Sequence, residues 1–408
     1  MWAALPTPTL ALPLERGGEN ILAMPVFSRP IASKLPEVGT TIFTVMSRLA
    51  AEHQAINLSQ GFPDFDCAPA LRALLAKYIN SGLNQYPPMA GVAPLREAIA
   101  EKVRALYGAT YDAEDEITVV PGATYGIFTA IATLIRPGDE VILFEPAYDS
   151  YAPSVEVNGG HPVYVQLKYP DYSIDWQEVR NAITPRTRMI VLNTPNNPTA
   201  SVFSAEDLRM LEGMLKRTDI VVVSDEVYEH IVFDGHRRQS VAHFPGLAER
   251  TFVVSSFGKT YHVTGWKTGY VLAPRELMAE FRKVHQFNAF VTNSPVQYAL
   301  AEYMQDKDVY LSLAAFYQKK RDFFLEGVKA SRFKPLPSRG TFFQNLCYDA
   351  VSEERDTDLA IRLTRERGIA SIPVSVFYRE PPAHRVLRFC FAKSEETLAR
   401  GTEILCRI

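Results

Sequence analysis

Four near-continuous apolar runs constrain the fold of this chain most strongly. They read VILFEP, RMIVLN, IVVVSDE and TFVVSSFG, and they are rich in β-branched residues. Such runs are typical of strands that are covered on both faces, as in a parallel sheet. Helical patterns such as SAEDLRMLEGMLKRT separate them, with Ser204 as the expected N-cap and Asp207 three residues later. The alternation predicts an α/β fold with a mainly parallel, doubly wound sheet over roughly residues 60–295.

The sequence changes in character near residue 295. Long helical stretches, SPVQYALAEYM and VYLSLAAFYQKKRDFFLEGVKAS, precede a shorter piece that ends in VLRFCFAKSEETLARGTEILCRI. We predict a large domain over 60–295 and a smaller α+β domain built from 31–59 plus 296–408. Residues 1–30 include a proline-broken, weakly apolar stretch without a cationic start. This composition favours a flexible N-terminal extension over a secretory signal.

Composition narrows the class of partner. The 408 residues carry a formal net charge of −3 with 47% hydrophobic residues, so no basic surface for nucleic acid or anionic lipid is expected. No apolar run approaches the ~20 residues of a membrane span. The cysteines, Cys67, Cys347, Cys390 and Cys406, are scattered, which favours neither a disulfide framework nor a metal site. A cytoplasmic protein with small-molecule partners is predicted.

Lys259 lies in SSFGKTYH, between Gly258 and Thr260. Gly-Lys-Thr is part of the phosphate-binding loop of nucleotide-binding proteins, but that motif needs a glycine five residues before Gly258. Val253 occupies the position. The nucleotide hypothesis is therefore weak, and a lone loop lysine is most often just solvated. The role of Lys259 depends on its neighbours.

Polar residues follow four of the predicted strands. Each of them alone is typical of a turn, a helix cap or a helix start. Because ligands of parallel sheets bind outside the carboxyl ends of the strands, these residues are expected to meet at one site. The residues are Gly122, Ala123, Thr124, Asn196, Asn197, Pro198, Asp225, Tyr228, Ser256 and Lys259.

This set suits the ring of pyridoxal phosphate. A lysine amine condenses with an aldehyde, which gives Lys259 a covalent role. Asp225 can keep the pyridine nitrogen protonated. Tyr228 and Asn197 can donate hydrogen bonds to the ring oxygen. Tyr148, at another strand end, can lie against the ring face.

The cofactor's phosphate needs backbone amides at a helix N-terminus, together with hydroxyl and cationic groups. Gly122, Ala123 and Thr124 begin a predicted helix, and Ser256 and Lys267 add a hydroxyl and a charge. These five residues are the predicted phosphate site.

At this point the sequence resembles the class I aminotransferases of fold type I, nearest to the methionine and kynurenine aminotransferase branch. The motifs NLSQGFPDFD, NQYPPMAGVAPLREAIA, EPAYDSYAP, NTPNNPT, SDEVYEH, SSFGKTYHVTGWKTGY and VLRFCFAK occur in that order. The resemblance implies Lys259 as the Schiff-base lysine. It also implies substrate-carboxylate binding by Arg388, with Gly61 and Asn197 as further substrate contacts. Many members of the wider class have arginine where this chain has Lys267, which keeps the charge but not the bidentate geometry.

The resemblance further implies that Tyr86 reaches the phosphate of a neighbouring subunit. The protein would then be a homodimer with shared active sites. It also implies ping-pong transfer of an amino group to a 2-oxo acid. A carbon–sulfur β-lyase on the same fold and cofactor is the alternative.

The segment HQFNAFVTNSPVQ bears on the choice of substrate. Dicarboxylate-preferring members of the wider class place an arginine there, whereas this chain has none. Without a partner, a second buried carboxylate would cost several kcal/mol. Methionine and aromatic amino acids are therefore the predicted donors. The expected pocket residues are Phe287, Phe290, Thr292 and Asn293, with Phe62 and Phe65 from QGFPDFD.

Overall fold

The structure is a computed structural model, and it describes residues 29–408. Its strands, in chain order, are β1 Ile56–Asn57, β2 Ile117–Val120, β3 Glu140–Glu145, β4 His161–Gln166, β5 Thr187–Asn193, β6 Val221–Asp225, β7 Thr251–Ser256, β8 Gly269–Leu272, β9 Lys334–Pro335, β10 Phe343–Cys347, β11 Ile369–Ala370, β12 Ile372–Pro373 and β13 Val386–Cys390.

Helices fill most of the intervening chain. In chain order they are α1 Ile42–Glu52, α2 Pro69–Asn80, α3 Ala93–Tyr107, α4 Ala123–Leu134, α5 Tyr151–Val157, α6 Trp176–Ala182, α7 Ala205–Leu215, α8 Pro245–Ala248, α9 Phe257–Thr260, α10 Arg275–Asn288, α11 Ser294–Tyr303, α12 Asp308–Leu311, α13 Leu313–Val328, α14 Asp356–Arg362 and α15 Glu395–Cys406.

Seven strands form the largest sheet, in the order β2-β8-β7-β6-β5-β3-β4. Strand β8 pairs antiparallel with β2 and β7, and the other pairings are parallel. The predicted mainly parallel sheet is confirmed. The four apolar runs lie in β3, β5, β6 and β7 and are almost wholly buried, as helix-covered strands require. In register, Asn193 of β5 lies opposite Asp225 of β6, so these strands end at one edge.

Two smaller sheets use the rest of the chain. Strands β12, β13, β10 and β9 form an antiparallel sheet in that order, in which Arg388 pairs with Asn345 and Ile372. Strand β1 pairs parallel with β11, which places Ile56 opposite Ile369. The early segment after α1 is thereby joined to the C-terminal part of the chain.

Local end signals explain where several helices begin and end. Helix α3 ends at Gly108, which has a φ of 68°, a conformation that favours glycine. Helix α7 begins at a capping box formed by Ser204 and Asp207, as predicted. The long helix expected after residue 308 is divided in two at Ser312, whose hydroxyl donates to the Asp308 carbonyl at 2.7 Å. Such back-bonding competes with regular helix continuation.

Two predictions concern regions beyond the sheets. Within residues 29–408, no helix has both the length and the apolar character needed to cross a membrane. The predicted N-terminal extension falls almost entirely on residues 1–28, which lie outside the described part of the chain.

The capping box predicts a measurable loss of stability in Ser204→Ala. The Ser204 hydroxyl accepts the Asp207 N–H at 3.1 Å, and loss of such a cap costs about 1 kcal/mol. We expect a lower urea midpoint of unfolding, whereas Ser204→Thr, which keeps a capping oxygen, should remain near the wild type. Equal midpoints for the alanine variant and the wild type would contradict this role.

Candidate active site

A cavity of about 190 Å³ opens at the carboxyl ends of the central strands. Every residue predicted to bind the cofactor lines it, except Tyr86. The predicted residues on its wall are Gly122, Ala123, Thr124, Tyr148, Asn197, Asp225, Tyr228, Ser256, Lys259 and Lys267, and the wall also contains Asn193, Thr264 and Thr268.

Asp225 ends β6 with its carboxylate buried in the cavity wall. The Tyr151 hydroxyl donates to Oδ2 at 2.6 Å, and the Val227 N–H donates to Oδ1 at 3.2 Å. Burial raises the pKa of Asp225 to about 6, and these hydrogen bonds partly oppose the shift. A positively charged group beside it, such as a protonated ring nitrogen, would favour the ionised form.

Two residues that hydrogen-bond to Asp225 or Asn197 were not predicted from the sequence. Tyr151 is the first residue of α5, three positions after Tyr148 in the same motif. Asn193 donates to the Asp225 carbonyl at 3.0 Å and accepts the Asn197 N–H at 2.7 Å. The strand-end position of Asn193 was the available signal, because it ends the RMIVLN run.

Lys259 lies on α9, directly after β7. Its amine donates to the Gly61 carbonyl at 3.0 Å and lies 5.8 Å from the Tyr228 ring centroid and 5.7 Å from that of Phe342. Burial lowers the pKa of Lys259 to about 8. The neutral amine is therefore more accessible near physiological pH than that of an ordinary lysine, which favours a role as nucleophile or base.

The opposite end of the cavity is built for an anion. Helix α4 begins at Ala123 after Gly122, which has a φ of 90°. A Cβ at position 122 would lie 3.4 Å from Nζ of Lys267 and would fill this space. The helix start, the Thr124 and Ser256 hydroxyls and the Lys267 ammonium together can bind a phosphate. The donor set of the whole cavity thus fits pyridoxal phosphate.

Arg388 lies beside this cavity with no exposed surface. Its Nη1 donates to Oδ1 of Asn197, and its Nη2 donates to the Ser59 carbonyl at 3.2 Å. The guanidinium carbon lies 3.9 Å from the centroid of the Phe343 ring, and burial lowers the pKa of Arg388 to about 10. Nε has no hydrogen-bond partner within the described residues. The group is positioned to bind a carboxylate.

Gly61 adjoins this arginine through Phe343. A Cβ at position 61 would lie 2.9 Å from Cζ of Phe343. The glycine therefore lets the backbone approach this aromatic ring closely.

Other predicted substrate residues lie elsewhere in the single chain. Tyr86, Thr292 and Asn293 line a separate groove, and Tyr86 is 82% exposed. Phe287 and Phe290 are exposed as well, and the Phe290 ring packs edge-on against Tyr86. The cavity does not contain these residues, so their roles remain predictions.

The two phenylalanines from QGFPDFD are not on the cavity wall. Phe62 is 44% exposed. The Phe65 ring packs edge-on against His262 and Phe316. Their contact with substrate also remains a prediction.

Comparison with known proteins identifies the family. Residues 53–405 match the model of aminotransferase class I and II. The chain belongs to this family. It is 50% identical over 374 residues to methionine aminotransferase from Escherichia coli, covering 91% of this chain and 97% of that protein. It is 35% identical to human kynurenine–oxoglutarate transaminase 1, covering 88% of this chain and 93% of that one.

Solved structures agree with this assignment. A crystal structure of an Escherichia coli protein identified as having a methionine aminotransferase function superposes with a TM-score of 0.91 at 48% identity, covering 93% of this chain and all of that one. The fold-type I expectation is confirmed, and so is the cofactor, because class I aminotransferases use pyridoxal phosphate.

The Tyr151 contact generates a pH-dependent prediction for this aminotransferase. Cofactor affinity should fall as the pH drops through about 6, because the Asp225 carboxylate then becomes protonated in the empty protein. Tyr151→Phe removes a hydrogen bond that lowers this pKa. We expect affinity to weaken about tenfold near neutral pH and to begin falling at a higher pH.

Equilibrium titration of the apoenzyme with pyridoxal phosphate measures both effects. Tyr111→Phe is the matched control, because the buried Tyr111 hydroxyl has no hydrogen-bond partner in the described region. Identical pH profiles for Tyr151→Phe and the wild type would refute the role of Tyr151.

Proposed function

We propose that this aminotransferase takes methionine, aromatic and related neutral amino acids as donors and passes the amino group to a 2-oxo acid by a ping-pong mechanism. The observation that carries this proposal is the aromatic surround of Arg388. Its guanidinium carbon lies 3.9, 5.4 and 5.6 Å from the ring centroids of Phe343, Phe43 and Phe377. A substrate held there by its carboxylate would place its side chain near apolar rings, which favours thioether and aromatic groups. The similarity to methionine aminotransferase supports the same choice.

The other cavity residues are assigned here to the parts of the cofactor that they would contact. When bound, the cofactor supplies an electron sink that makes the substrate Cα–H acidic. We assign Asp225 to the ring nitrogen, and Tyr228 and Asn197 to the ring oxygen. Tyr148 would cover the ring face. The start of α4, with Ser256 and Lys267, would hold the phosphate.

Lys259 is the proposed proton carrier. Its neutral amine can take the proton from the substrate Cα. The lowered pKa supports this role, because burial disfavours the charged amine. Arg388 would fix the carboxylate, so that the Cα–H remains within reach of Nζ.

Three further proposals concern the whole protein. We propose a cytoplasmic homodimer with shared active sites. The exposure of Tyr86, outside the cavity of its own chain, supports a contact with a partner. We also propose a large domain over 60–295 and a small one from 31–59 plus 296–408. The pairing of β1 with β11 supports that division.

A donor panel tests the proposed substrate class. Initial rates with twenty amino acids and several 2-oxo acids should give methionine and phenylalanine far higher kcat/KM values than aspartate, because a second carboxylate would be buried among aromatic rings. Lys259→Ala, folded but inactive, is the control for enzyme-dependent transfer. Pyruvate release from a cysteine conjugate measures the β-lyase alternative. A kcat/KM for aspartate at or above that for methionine would overturn the assignment.

Hybrid dimers test the shared site. A Tyr86→Ala variant and a Lys259→Ala variant should each be impaired, since each lacks one half of the proposed composite site. After subunit exchange, one site of the hybrid would contain both intact residues, so part of the activity should return. Mixing two preparations of Lys259→Ala is the control. No recovery after verified exchange would argue against a shared site.

A further inference from the structure

Three cationic side chains donate to backbone carbonyls within one short loop, residues 58–66. Nη2 of Arg388 donates to Ser59 O at 3.2 Å, and Nζ of Lys259 donates to Gly61 O at 3.0 Å. Nζ of Lys393 donates to Phe62 O at 2.8 Å. The first two cations belong to the active site, whereas Lys393 approaches from the segment between β13 and α15. The loop therefore connects that segment to the reacting groups.

Lys393 contacts the loop in two ways. Besides its hydrogen bond to the Phe62 carbonyl, its ammonium lies 5.1 Å from the centroid of the Phe62 ring. Only 3% of Lys393 is exposed. A buried ammonium is costly unless a carbonyl or a ring face compensates it. The loop must therefore keep Phe62 in place to accommodate this charge.

A second lysine extends the contact. Nζ of Lys320 donates to the Lys393 carbonyl at 2.7 Å and lies 4.8 Å from the centroid of the Phe65 ring. Lys320 thus links the backbone of Lys393 to the far end of the loop. The two lysines contact the loop at Phe62 and Phe65.

Asp64 fixes the loop to the start of α15. Its Oδ1 accepts the Ser394 N–H at 2.6 Å, and its Oδ2 accepts the Thr397 hydroxyl at 2.7 Å. At the other end of the loop, the Cys390 N–H donates to the Leu58 carbonyl at 2.7 Å. Residues 58, 62 and 64 are all anchored to the segment 390–397, so the Gly61 carbonyl has little freedom to move away from Lys259.

We propose that Lys393 is a positioning residue for substrate binding. By holding Phe62, it fixes the course of the 58–66 loop and with it the Ser59 carbonyl, which in turn orients the Arg388 guanidinium. Lys393 does not line the cofactor cavity. Its effect should therefore fall on substrate affinity and not on cofactor affinity. This inference rests on aminotransferase activity but not on which amino acid is the preferred donor.

Steady-state kinetics of Lys393→Met holoenzyme test the proposal with the best donor and acceptor of the panel. We expect KM to rise about tenfold for both the amino acid and the 2-oxo acid, because both carboxylates would bind a less well oriented Arg388. The kcat should change less than about threefold. The pyridoxal phosphate Kd and the visible absorption of the holoenzyme should match the wild type.

Lys319→Met is the matched control. Its side chain is 80% exposed on α13 and makes a 3.7 Å contact with Glu395, so its removal deletes a lysine charge close to α15 without touching the loop. KM should remain at the wild-type value.

A second variant keeps the proposal falsifiable if Lys393→Met does not fold. Asp64→Ala releases the same loop from α15 at an exposed residue, and it should raise both KM values in the same direction. Unchanged KM values in folded variants with normal cofactor content would overturn the proposal. So would a loss confined to kcat or to cofactor affinity. A wild type that prefers aspartate would instead refute the proposed substrate class, and the test of Lys393 would then be made with aspartate as the donor.

Discussion

The buried guanidinium of Arg388 joins three separate parts of the chain. It donates to Asn197 in the turn after β5 and to the Ser59 carbonyl, and it lies on the Phe343 ring of β10. A charge without exposed surface is tolerated only where acceptors surround it. The turn, the 58–66 loop and the small antiparallel sheet therefore have to meet at one point. The Nε–H of this guanidinium has no hydrogen-bond partner in the described chain, which supports the proposed binding of a substrate carboxylate there.

Burial also shifts the pKa values of the site: it raises those of acids and lowers those of bases. It lowers the pKa of Lys259 to about 8 and raises that of Asp225 to about 6, because it disfavours an ammonium and a carboxylate alike. Burial therefore favours the neutral form of both groups. Near pH 7 the amine is partly available as a base, while the carboxylate still carries most of its charge. Those are the states in which a lysine can accept a proton and an aspartate can hold a cationic ring nitrogen.

The site residues that could be predicted from the sequence are those that lie at or just after strand ends. Asn197, Asp225 and Lys259 each lie just beyond or at the end of an apolar run, and parallel pairing brings such positions to one edge whatever the rest of the chain does. Tyr151 was not predicted, because its contact with Asp225 depends on the direction in which α5 leaves its strand. Tyr86 lies in a different groove from the cavity. No local sequence pattern indicates where a partner subunit lies, so the proposed role of Tyr86 came from the family resemblance, with its exposure in the single chain as support.

A buried ion pair between Lys102 and Glu229 lies beside the cavity residue Tyr228. Burial would raise the pKa of Glu229, but the Lys102 ammonium at 2.6 Å and neighbouring hydrogen bonds hold it well below its usual value. Ser255 also donates to this carboxylate, at 2.5 Å. Such a pair adds little net stability, yet removing either partner would strand a charge. Glu229 and Ser255 are the immediate chain neighbours of Tyr228 and Ser256, which line the cavity. The pair therefore ties α3 to the turn after β6, and the Ser255 hydrogen bond ties that turn to β7.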